Sequence, residues 1–188
     1  MLRGGATNSL ARDDALLGFV DASTHDVEVA RRTMRREFND RAGELATWIG
    51  VLQDLAERRV AVAVHIGGGR CHRGYLLAVG RDHLVLVGEG GCTVLVAMAA
   101  VGLVRPQPAT DRVIPRSDRL PAEGRTLLEA LEELLPTDPE VVVGIRTLPE
   151  TVRGRVVGLG QDVLTLRTAD GGVSVVPHLA IADIAWGS

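Results

Sequence analysis

The chain contains no lysine; all 21 basic residues are arginine. Together with heavy use of Ala, Val, Gly and Leu, this follows GC-rich coding, so arginine abundance by itself does not point to phosphate chemistry. Aromatic residues make up only 3% of the chain, too few for a row of base-stacking platforms. The two cysteines, Cys71 and Cys92, cannot build a disulfide framework. No apolar run approaches the roughly 20 residues of a membrane span, and no apolar signal core follows the start. The expected location is therefore cytoplasmic, with no membrane partner. Paired catalytic carboxylates, a serine–histidine arrangement, a P-loop and a dinucleotide-binding glycine motif after a strand are all missing, so the chain is expected not to be an enzyme and to need no cofactor. Charge of one sign does not dominate either. The net charge is −3, and residues 60–106, the most basic stretch, carry only four arginines against two acids.

What is present is an internal repeat. With a shift of 80, residues Arg73 to Val104 lie on Arg153 to Ile184 without a gap. Arg73/Arg153, Gly74/Gly154, Gly80/Gly160, Asp82/Asp162, Leu84/Leu164, Leu86/Leu166, Gly91/Gly171, Val96/Val176 and Ala100/Ala180 are identical. A repeat of this length means one supersecondary unit built twice. Residues 1–25 lack periodicity and read as a flexible tail. From Asp26 to Arg58 the period is helical, with Val27, Met34, Phe38, Leu45, Trp48, Leu52 and Leu55 on one stripe, and Gly43 favours a break near Asn39 to Gly43. This helical lead covers 26–59.

The period then falls to two. Strands are expected at Val60–Ile66, Cys71–Val79, His83–Val87, Cys92–Val96 and Ala100–Val104, on turns at Gly67 to Gly69, Gly80 to Asp82 and Gly88 to Gly91. Five short strands on tight glycine turns predict a small bent barrel over 60–106, with Gly74 placed where a strand bends. Residues 107–121 form a proline-spaced linker. Residues 122–186 then give a leucine-striped helix ended by Pro136 and a second set of strands. The fold class is α+β, mainly β: two tandem five-stranded SH3-like barrels, each preceded by a helix.

The segments RGYLLAVGRDHLVLV and RGRVVGLGQDVLTLR, each behind a helix, resemble the Sm-like fold over about residues 40–106 and 122–186. The doubled arrangement with a helical lead is also similar to actinobacterial proteins of that kind. The resemblance implies an N-terminal helix on a small five-stranded barrel. In RNA-binding Sm proteins the corner carries an aspartate and a base-contacting asparagine; here those positions are Val79 and His83, then Leu159 and Val163. The later Arg-Gly signature is replaced by VAMAAVGLV and VPHLAIADI.

Candidate nucleic-acid or anion contacts are the basic helix face of Arg31, Arg32, Arg35 and Arg36, the repeated Arg73 and Arg153, and His83; each also reads as an ordinary surface residue. His65, Cys71, His72, His83 and Cys92 lack zinc-finger spacing, and Cys71 and His72 point to opposite faces of a strand, so no metal is expected. Asp82 and Asp162 read as turn formers, and Trp48 and Trp186 as packing residues. Two functions compete. One is an interaction or assembly module, whose edges Ala100–Val104 and Ala180–Ile184 pair with each other, with a second copy or with a protein partner's strand, with the N-terminal helix adding dimerisation. The other is a nucleic-acid-binding (RNA or DNA) regulator.

Overall fold

The computed structural model describes residues 31, 33–34, 46–107, 124–133 and 139–187. The chain divides into two compact units, Met1–Leu45 and Ala46–Ser188. In the first, Arg31, Thr33 and Met34 are helical and exposed, so Met34 does not serve as a buried seam residue. The tail, the expected break at Asn39 to Gly43, Arg32, Arg35, Arg36, the linker from residue 108 and Pro136 lie outside the described residues. Among the described residues no helix is long and apolar enough to cross a membrane.

The second unit is mainly β. Helix α1 (Trp48–Glu57) precedes β1 (Ala61–Ile66), β2 (Cys71–Val79), β3 (His83–Gly88), β4 (Thr93–Ala97) and β5 (Val101–Gln107). Helix α2 (Leu127–Glu132) precedes β6 (Glu140–Ile145), β7 (Thr151–Leu159), β8 (Val163–Arg167), β9 (Val173–Pro177) and β10 (Ile181–Trp186). Each helix starts at a threonine whose hydroxyl accepts a backbone N–H three residues on, Thr47 from Gly50 and Thr126 from Glu129. This N-cap satisfies a donor that the helix itself cannot. The two caps, like β1 and β6, are 79 residues apart and the later strands 80, so the repeat includes the helix, with one residue added in the β6–β7 turn.

All strand pairs are antiparallel and form one ten-stranded sheet in the order β5-β1-β2-β3-β4-β10-β6-β7-β8-β9. The expected mainly β fold is present, and each half keeps its five strands as neighbours, but within one open sheet rather than as two closed barrels. The two halves are joined edge to edge, because the outer side of β4 is bonded by β10, Asp183 opposite Val96 through Trp186 opposite Thr93. The sheet does not close: β5 and β9 have one neighbour each. The expected edge Ala180–Ile184 is therefore not free, and it does not pair with Ala100–Val104. β5 also runs further than expected, through Pro106 to Gln107. A proline fits there because an edge strand leaves every second N–H without a ladder partner.

The repeated glycines have mechanical reasons. A Cβ on Gly74 would run into the Val87 carbonyl, and one on Gly154 into the Arg167 carbonyl, where β2 and β7 bend across β3 and β8. Gly91 and Gly171 both take positive φ, 83° and 82°, a conformation that costs a glycine little.

The core forms two clusters. One gathers Leu52 and Leu55 of α1 with Val62, Val64, Leu76, Leu84, Leu86, Val94 and Val96, and includes Ala182 of β10. The other gathers Leu127 and Leu131 of α2 with Val141, Val143, Leu164, Leu166, Val176, Ile181 and Ile184, and includes Leu95 of β4. Each fully buried leucine contributes about 1.5–3 kcal/mol. Each joining strand thus supplies a residue to the other half's core.

Candidate interaction interface

Arg73 and Arg153, the repeated arginines, are exposed on β2 and β7, opposite Ala63 and Val142. Arg73 lines a shallow cleft of about 200 Å³ with Tyr75 and Gln107, below the ~300 Å³ at which small-molecule sites usually begin. His83 is only 3% exposed. Its ring lies against Gly80, and its Nδ1 is 3.2 Å from Asp82 Oδ1. It is therefore not placed to stack on a base: the corner that leads into β3 turns it inward. Cys71 stays exposed, its Sγ 3.9 Å from His65 Nε2, while His72 points to the other side of β2. Among the described residues no group of three or more His, Cys, Asp or Glu is gathered to hold a metal. Trp186 is partly buried against the second cluster, but Trp48 is nearly half exposed, which corrects the expectation that it packs.

The densest polar site lies where the two halves join. Asp183 of β10 is 3% exposed. Its Oδ1 accepts from Arg70 Nε at 3.1 Å and lies 2.9 Å from Nη2 in an ion pair, and its Oδ2 is 3.0 Å from His72 Nε2. Arg70 also donates to the Leu148 and Ile145 carbonyls, at 3.2 and 3.1 Å. Its guanidinium fork thus binds one carboxylate and two carbonyls across the junction, a pattern that an ammonium could not reproduce. Gly144 leaves the space: a Cβ there would collide with Asp183 and Arg70. The repeat counterparts of Arg70, His72 and Asp183 are Glu150, Val152 and Leu103, so the cluster exists once. Reading the repeat for identities overlooked these three residues. Their signal is the opposite one, charged positions at which the two copies disagree.

A second contact crosses the junction at the β2–β3 corner. The Leu127 N–H, at the start of α2, donates to Asp82 Oδ1 at 2.7 Å, and the Arg81 N–H to the Arg125 carbonyl at 3.0 Å. The Asp82 carboxylate therefore serves the following helix rather than its own turn. What repeats within the corner is carried by its backbone carbonyl: Asp82 accepts from Met98 N–H and Asp162 from His178 N–H. Asp170 is the aspartate that braces its own turn, accepting from Gly172 N–H and from the Thr168 hydroxyl; these bonds hold its carboxyl below the usual range.

The two ends of the sheet carry the same strands without a partner. Leu95 on β4 is 2% exposed, while its repeat counterpart on β9, Val175, is 63% exposed. Asp183 and Ala182 on β10 are buried, while Leu103 and Gly102 on β5 are exposed. No protein-family model, no curated protein and no solved structure matches this chain.

Proposed function

We propose that the chain is a non-enzymatic assembly module, a doubled Sm-like unit of two bent five-stranded halves, which pairs head to tail with further copies through β5 and β9. One observation carries this reading. The junction of a fourth strand with a fifth strand is already made once inside the chain, and each free edge offers one of those two partners. Continuing the inner ladder with the repeat shift sets Leu103 opposite Val176, Val104 opposite Val175 and Arg105 opposite Ser174, with Pro106 at its end opposite Val173. Pro106 donates nothing there, which limits the ladder to about three residue pairs. The apolar residues Leu103, Val173 and Val175 stand exposed along it. Exposed apolar strand edges of this kind favour pairing with another chain. Because the two edges are unlike, the contact is heterologous: it closes into a ring if the rotation per copy allows, and otherwise runs on as a filament.

Sedimentation velocity of the full chain over a wide concentration range tests this. The expected result is mass growth beyond the monomer, abolished by Val175→Arg on β9. A monomer at every concentration overturns the reading.

A further inference from the structure

The inner junction is more than a strand ladder, and its additional part has an unused copy. Inside the chain, Leu127 at the first position of α2 is 1% exposed and shares a buried cluster with Leu95 of β4. Its N–H is held by Asp82, and the preceding Arg125 carbonyl by Arg81 N–H. The repeat places Trp48 of α1 where Leu127 stands, and Thr47 and Ala46 where Thr126 and Arg125 stand. On the β9 side it places Val175 for Leu95, Gln161 for Arg81 and Asp162 for Asp82. The side chains that would meet across such a contact lie at the surface. Trp48 is 46% exposed, and Val175, Gln161 and Asp162 are all exposed. A tryptophan half in water at the first position of a ten-residue helix leaves about half of its large apolar area for a partner to cover.

Resting on the head-to-tail reading above, we propose that Trp48 is the anchor of the contact between copies. Trp48 of one copy seats against Val175 on β9 of the next. Its backbone N–H donates to the Asp162 carboxylate, and Gln161 N–H donates to the Ala46 carbonyl. The occupant is a second copy of this chain, because helix start, corner and strand edge match the inner dock position by position. The contact has a direction: α1 and β5 of one copy meet the β7–β8 corner and β9 of the other.

The test uses the full chain and four single variants in sedimentation velocity. Trp48→Ala weakens self-association by about tenfold or more, as truncation of a central interface tryptophan does. Asp162→Ala weakens it less. Asp82→Ala, which removes the inner dock and the neighbouring His83 contact but no residue of the proposed contact between copies, lowers the unfolding midpoint and leaves association unchanged. At the lowest concentration at which the unmodified chain assembles, Trp48→Ala chains and Val175→Arg chains are each mainly monomeric alone and form a one-to-one dimer when mixed, because each keeps the face that the other has lost. If the unmodified chain assembles and the Trp48→Ala and Asp162→Ala chains assemble equally well, the dock is wrong and the edge-pairing reading stands. If the unmodified chain remains monomeric, both fall.

Discussion

The joined edge between β4 and β10 and the free edges of β5 and β9 descend from the same two strands, yet they bury different things. The inner junction holds a carboxylate with an arginine, a histidine and two backbone carbonyls around it, and each side supplies a residue to the other's core. The repeat places Leu103 of β5 at the position of Asp183, Val152 of β7 at that of His72, and Glu150 of the β6–β7 turn at that of Arg70, so no such cluster forms. A buried charge cluster adds little net stability over an apolar one, but it penalises mispairing heavily, since each member left alone stays buried and uncompensated. The inner junction is therefore held in register by charge as well as by its ladder, and the free edges lack that constraint.

The most damaging way to break that comparison is to give the inner junction the residue of the free edge. Asp183→Leu leaves Arg70 without its carboxylate and is expected to cost about 3–5 kcal/mol in urea unfolding. Adding Arg70→Met to it is expected to recover most of the loss; a single variant as stable as the parent would show that the cluster constrains nothing. Next in size are the glycines. Gly74→Val drives a side chain into the Val87 carbonyl and is expected to lower stability by about 1–3 kcal/mol. Gly102→Ala, on the free edge with only the His65 carbonyl near at 3.7 Å, is expected to stay within about 0.5 kcal/mol of the parent.

The smallest effect separates the two helix starts. At α2 the Glu129 carboxylate accepts from Thr126 N–H at 2.7 Å while Thr126 Oγ1 accepts from Glu129 N–H, a reciprocal capping box. At α1 the corresponding residue is Gly50, so only the threonine half of the box exists. The hydrogen bonds from Thr126 hold the Glu129 carboxyl below its ordinary value, with Arg81 and Arg125 adding to the effect. A depressed carboxylate pKa stabilises the fold above the unfolded-state value, and that contribution is lost as pH falls through the folded-state value. Amide exchange at Thr126 is expected to quicken on acidification below the ordinary carboxylate range, with no matching change at Thr47. Equal acid sensitivity at both helix starts would remove the distinction.

Much of the local fold was legible in the chain. The alternation in VAVAVHI marks β1, and the shared Gly74/Gly154 and Gly91/Gly171 mark a bend and a left-handed turn that side chains cannot occupy cheaply. Pattern of this kind reports on a residue's neighbours within a few positions. It misplaced His83, whose burial depends on how the Gly80 corner folds over it. It read Trp48 as packed because it shares the helical stripe with Leu52 and Leu55, yet nearly half of the tryptophan stays exposed. Asp82 looked like a turn former, and its side chain instead reaches a helix 45 residues further on. Arg70 and Asp183, 113 residues apart, carry no local pattern that links them.

The sequence by itself determined that a helix and five strands are built twice, since period, glycine placement and turn chemistry act over a few residues. Only the tertiary structure decided that the halves share one ten-stranded sheet and that a buried carboxylate locks their seam. The hydrogen bonds of a strand edge are the same whichever strand arrives to make them. The choice of partner is made by the side chains that pack around the ladder, and these come together only once the chain has folded.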